Sequence, residues 1–132
     1  MARYWEWDAP FTIHPEETAL LIIDMQTGFT QPDGPLFTPQ SSEQLPTVAA
    51  LKKFCNEKGI PVFLSIFAQD VDFHNDHYWF RNKQRGLLTE DGGCKFKPGS
   101  PECQIDPALA PVEGDTVFLK YTYSCFSHTE LE

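Results

Sequence analysis

The segment Thr18 to Phe29, TALLIIDMQTGF, carries five apolar residues, Ala19 to Ile23, straight into one acid, Asp24. Lys120 stands in a matching place, directly after Thr116-Val117-Phe118-Leu119. If both runs are strands of one parallel sheet, both side chains reach the crevice at the carboxyl ends of the strands, where such sheets bind ligands. A carboxylate there asks for a cation, because desolvating an unpaired charge is costly. The pair reads in two ways. It is either a structural ion pair, or a general base, Asp24, with a neighbouring charge, Lys120, that tunes it. Neither residue is a nucleophile, so bond-breaking chemistry here needs a further group.

The elements that must position this pair follow from pattern. Thr18 to Asp24 and Ile60 to Phe67 (IPVFLSIF) are short apolar runs, as expected of strands buried on both faces. Between them Ser42 to Lys58 reads as a helix, with Ser41 or Ser42 as cap and Pro46 in the first turn. Its apolar face is Leu45, Val48, Leu51 or Lys52, and Cys55, widened by Phe54, and Gly59 stops it. Strand, helix, strand at this spacing is a βαβ unit. Thr116 to Leu119 is a third strand, ending on Lys120. Thr27 to Gln40 reads as a loop, and Ala68 to Arg85 as a loop running into a short helix. Gly86 to Asp115, with five glycines and four prolines, is largely loop, with a turn at Pro107 to Leu109. So long a loop points to a lid or pocket wall. Ser127-His128-Thr129-Glu130 fits the capping box of a helix start. The fold class expected is α/β: a three-layer αβα arrangement around a parallel, Rossmann-like sheet, as one domain over residues 1–132. Residues 1–17 read as an irregular arm whose Trp5 and Trp7 cover a core edge or a subunit interface.

At 132 residues, 41% hydrophobic and 22% charged, the chain has the composition of one folded domain. A net charge of −9 argues against nucleic acid and anionic membrane surfaces as partners. No apolar run approaches the roughly 20 residues of a membrane span, and the first residues lack a secretory h-region. Four cysteines, Cys55, Cys94, Cys103 and Cys125, form no C-x-x-C pair and are expected as free thiols in the cytoplasm.

Other residues invite chemistry. Asp70, Asp72, His74 and His77 lie in DVDFHNDH, but a calcium loop needs Gly and Glu where Asn75 and Arg81 stand. A solvated polar loop is the preferred reading there, with no metal and no cofactor. Cys94 sits beside Lys95 and Lys97, which would lower its pKa; Cys125 reads as a packed, inert thiol and Cys55 as helix core. Gln26 either orients a substrate amide or caps the following turn. Phe29, Trp79 and Phe80 either line a pocket or pack in the core. A receiver-type phospho-switch wants paired acids where Met25 and Gln26 follow Asp24. A dinucleotide site is excluded by the lack of G-x-G-x-x-G after the first strand.

Two motifs carry a family resemblance: the apolar strand ending Asp-Met-Gln, and strand-Lys followed by Ser124, Phe126, Thr129 and Leu131. With them the chain resembles the isochorismatase-like cysteine hydrolases over nearly its whole length, corresponding to about the first two-thirds of that domain. The resemblance implies an Asp-Lys-Cys triad. Asp24 takes the thiol proton, Lys120 holds the charges in place, and the thiolate attacks an amide or ureido carbonyl. It places the cysteine on a later strand-to-helix turn that these 132 residues do not reach, so the domain is expected to be truncated after its third strand. The candidate substrate-binding residues are Gln26, Phe29, Trp79 and Tyr123. The partners implied are a small amide or ureido substrate, further copies of the chain, or a complementing C-terminal segment. The alternative is an inactive fragment or pseudoenzyme that works by association.

Overall fold

The computed structural model describes residues 12–69, 83–90 and 93–131. Trp5, Trp7, Asp70, Asp72, His74, His77, Trp79 and Phe80 lie outside them. Three parallel strands form the sheet: β1 (Leu20–Ile23), β2 (Val62–Phe67) and β3 (Thr116–Lys120), in the order β1-β2-β3. Leu20 pairs with Val62 and Ile23 with Ser65; Phe63 pairs with Thr116 and Phe67 with Lys120. The central strand β2 therefore separates the strands that carry Asp24 and Lys120.

Among the described residues, α1 (Thr27–Thr30), a single turn at the place of an expected loop, and α2 (Pro39–Lys58) accompany the sheet, and residues 83–84 are helical as well. Helix α2 begins at Pro39, not Ser42. Its N-cap is Thr38, and the fixed φ of Pro39 suits the first turn. Ser41 does not cap it; the Ser41 hydroxyl turns back to the carbonyls of Thr38 and Phe29. Pro46 consequently lies inside the helix, where it removes one backbone hydrogen bond. Tertiary packing carries the helix past this point, since Leu45, Lys52 and Cys55 are buried on either side of it. Gly59 ends it in the left-handed conformation, as its sequence position foretold (φ 69°).

The core between α2 and the sheet holds Ile22, Leu45, Cys55, Ile60, Val62, Leu64 and Leu109. A second cluster gathers Ala68, Leu87, Phe96 and Cys103 against Phe29, Leu36, Ile66 and Phe67. The long segment after Gly86 is thus anchored, and it includes short 3-10 turns at Pro101–Cys103 and Pro107–Leu109. No helix starts at Ser127: residues 125–130 are turns and bends, and His128, directly after it, has a left-handed φ of 57° that no first helical turn accepts.

On α2 the buried place falls to Lys52, while Leu51 and Phe54 are exposed. The reason is electrostatic. Lys52 Nζ lies 2.6 Å from Asp115 Oδ2, with the two side chains 7% and 0% exposed. Asn56 Nδ2 donates to Asp115 Oδ1 at 2.7 Å and the Val112 N–H to Oδ2 at 2.9 Å. This network clamps the last turns of α2 to the start of β3. Burial pushes the Asp115 carboxyl up, but hydrogen bonds from Lys52, Val112 and Asn56 outweigh it and hold it below the ordinary carboxylate value.

Two outcomes follow for stability. Asp115→Ala strands the Lys52 ammonium and should lower the unfolding free energy at pH 7 by about 3–5 kcal/mol in urea titrations. A depressed carboxyl stabilises fully above its unfolded value of about 4. That share is lost as pH falls through the lower folded value, so wild type should lose stability over this window more steeply than Asp115→Ala. Gly28→Ala is the second. A Cβ at Gly28 would stand 2.7 Å from Phe96 Cζ and 3.0 Å from the Glu102 carbonyl oxygen. The cost should be about 1–3 kcal/mol, partly relieved by Phe96→Leu in the same titrations.

Candidate functional site

Asp24 follows β1 by one residue and leaves the strand direction with a left-handed φ of 56°. Its side chain crosses above the carboxyl end of β2. There Oδ2 meets Lys120 Nζ at 2.8 Å, with the lysine side chain 2% and the aspartate 28% exposed. The remaining N–H groups of Lys120 go to the carbonyls of Thr122 (3.1 Å) and Tyr123 (3.4 Å), and the ammonium lies 5.5 Å from the centre of the Phe67 ring. All three ammonium hydrogens are thereby committed to the protein. The two residues singled out from the sequence are in direct contact.

The other Asp24 oxygen has a partner that sequence reasoning missed. Ser65 Oγ, fully buried on β2, donates to Asp24 Oδ1 at 3.0 Å. A lone hydroxyl inside the apolar run IPVFLSIF was the available signal. With one donor on each oxygen and about four acceptor positions in all, the carboxylate keeps lone pairs for a proton. Its partial exposure gives that proton a route in.

Gln26 is fully buried. Its Nε2 donates to the carbonyls of Phe67 and Glu102, both at 2.9 Å, and its Oε1 accepts the Phe67 N–H at 2.7 Å. No amide hydrogen remains for a substrate, which corrects the expected substrate contact. Gln26 instead caps the end of β2 and ties it to the 101–106 segment. That segment also receives the Thr27 hydroxyl and N–H, at the carbonyls of Pro101 and Gln104. Asp106 completes the tie. It accepts from Thr30 Oγ1 and Gln31 Nε2, each at 2.6 Å, and from the Ala108 N–H at 2.9 Å.

Phe29 is half-buried, with its ring 5.1 Å from that of Phe96 and 6.4 Å from that of Phe67. The three rings form an aromatic wall that reaches Lys120 through Phe67. The Tyr123 residue is 76% exposed and meets the site through its backbone carbonyl. Among the described residues no group of three metal-ligating side chains gathers, and no helix is long and apolar enough to cross a membrane.

All four cysteines are free thiols. Cys55 and Cys125 are buried. The Cys103 thiol is pushed up chiefly by burial, and its Sγ donates to the Phe67 carbonyl at 3.4 Å. Burial also raises the Cys94 thiol and outweighs the pull of Lys97, contrary to the expected lowering.

The chain is similar to a probable isochorismatase of Pseudomonas chlororaphis, 29% identical over 93% of this chain and 54% of that protein. It is also similar to an N-carbamoylsarcosine amidase of Arthrobacter sp, 29% identical over 86% of this chain and 42% of that one. A cysteine hydrolase structure from Pseudomonas syringae pv. phaseolicola 1448A shares the fold, with a TM-score of 0.76 at 21% identity, over 92% of this chain and 54% of that one. The chain thus spans about half the length, or less, of the curated relatives it matches. The model of the isochorismatase domain matches residues 18–132, from the first residue of the β1 run through Asp24 and Lys120, and the chain belongs to that family.

Proposed function

We propose that Asp24 and Lys120 are two members of an Asp-Lys-Cys triad in a hydrolase that cleaves the C–N bond of a small amide or ureido substrate. The third member, the cysteine, is supplied by polypeptide outside these 132 residues. The observation that carries this reading is the 2.8 Å contact between a nearly inaccessible lysine and a carboxylate that stays 28% exposed. Here only the cation is sealed in, and the acid keeps an open side.

Asp24 accepts the Sγ–H proton as thiol and substrate meet, and Lys120 holds the carboxylate while negative charge moves onto sulfur. The thiolate adds to the carbonyl carbon, and the resulting tetrahedral adduct expels ammonia or an amine, which leaves with the proton returned by Asp24. The thioester that remains is hydrolysed by water whose proton passes to Asp24, giving the acid and restoring the thiol. Phe29 and Phe67, backed by the buried Phe96, are proposed to supply an apolar side for the substrate, with Tyr123 beside them. A second reading, hydrolysis of isochorismate, follows from the relative named a probable isochorismatase, and isochorismate therefore belongs in the substrate panel.

In the natural polypeptide containing these residues, ammonia release from a panel of small amides and ureides should fall about 10²- to 10⁴-fold in Asp24→Asn, with an unchanged circular dichroism spectrum. Unaltered turnover would remove Asp24 from the mechanism. Turnover of isochorismate alone would select the second reading.

A further inference from the structure

Ser65 touches the proposed base and has no part in the steps above. It is fully buried on β2, beside Ile23 of β1 and Phe118 of β3. Its hydroxyl makes two contacts to one residue: Oγ donates to Asp24 Oδ1 at 3.0 Å and accepts the Asp24 backbone N–H at 3.2 Å. The Ser65 carbonyl shares that N–H at 3.3 Å. A single hydroxyl thus closes a ring across the backbone and the carboxylate of Asp24. Because no solvent reaches it, the Ser65 hydroxyl is not placed to attack a substrate.

That ring forms where the backbone is least comfortable. Asp24 adopts φ 56°, a region sparsely populated by residues other than glycine, and such conformations persist only where their surroundings hold them. Without the left-handed turn, the chain would continue along β1 and carry the carboxylate away from the end of β2. Without a donor at Oδ1, the carboxylate could rotate about its terminal torsion, which is broad and nearly two-fold, and present either oxygen to Lys120.

We propose that Ser65 is the positioning residue of this site: its hydroxyl fixes both the left-handed backbone and the carboxylate plane of Asp24, leaving Oδ2 to Lys120 and the free lone pairs to the proton in transit. The proposal rests on Asp24 being the base, and small misplacements of a reacting group lower turnover steeply. It assigns to a strand residue a task that the Asp-Lys pair cannot perform for itself. Lys120 approaches from one side only, and a single ion pair does not define a plane.

The test compares Ser65→Ala and Ser65→Thr in the natural polypeptide, with whichever panel substrate is turned over, alongside the Asp24 13Cγ resonance. Ser65→Ala should lower kcat on the order of tenfold to a hundredfold, with KM within about twofold, the pattern of an interaction needed in the transition state. It should also displace the 13Cγ resonance. Ser65→Thr, which keeps the hydroxyl, should restore kcat and the resonance. Full kcat in Ser65→Ala overturns the proposal, as does a folded Thr variant no better than Ala. Should wild type hydrolyse nothing on the panel, the proposed function fails on its own, and the resonance still decides Ser65: an unmoved signal in Ser65→Ala refutes it.

Discussion

A lysine side chain only 2% exposed is among the costliest groups a small fold can carry, and the partners of Lys120 explain much of the structure around it. The ammonium sits at the end of β3 and its carboxylate just beyond β1, with β2 between them. Bringing them to 2.8 Å therefore requires that the chain turn sharply after Ile23 and that the end of β2 be covered. The left-handed Asp24 does the first and Gln26 the second. The carbonyls of Thr122 and Tyr123 then satisfy the two N–H groups left over, which also bends the chain back as it leaves β3.

Holding that geometry falls to the segment between Gly86 and Asp115, which has little regular structure but many buried attachments. Asp106 grips α1 through Thr30 and Gln31, Gln104 and Pro101 grip Thr27, and Phe96 fills the space over Gly28. Asp115, where the segment ends, is bound to Lys52 and Asn56 of α2. One end of this segment thus supports the residues after Asp24 and the other sets the start of the strand that delivers Lys120. An irregular segment can serve as scaffold when hydrogen bonds and ion pairs tie it down at this many points.

Much of this was legible in the sequence, for identifiable reasons. The three strands announce themselves as continuous apolar runs, and the acid and lysine that end two of them break those runs conspicuously. Burial along most of the strand holds only for the central β2, since Ile23 of β1 and Val117 and Leu119 of β3 are exposed. Gly59 was legible because its left-handed turn favours glycine. What was not legible depends on distant partners. Lys52 is buried and Leu51 exposed because Asp115 lies 63 positions further on, a fact no helical periodicity contains. The start of α2 moved because Ser41 spends its hydroxyl on Phe29 and Thr38 and does not cap. Whether Gln26 orients a substrate or caps a turn is not legible in the sequence, because an exposed amide and a buried one look alike until Phe67 and Glu102 are in place. The capping pattern at Ser127 failed because His128 takes up a left-handed conformation, whereas four residues of sequence report only compatibility with a helix start.

The central claim is that Asp24 and Lys120 act as one catalytic unit and not as a structural pair that happens to lie in a crevice. A double-mutant cycle on hydrolysis, with Asp24→Asn, Lys120→Met and both together in the natural polypeptide, tests it most directly. Groups that act as a unit are strongly non-additive, so the double variant should lose no more kcat/KM than the worse single variant. Losses that multiply, each residue contributing independently of the other, would contradict the account.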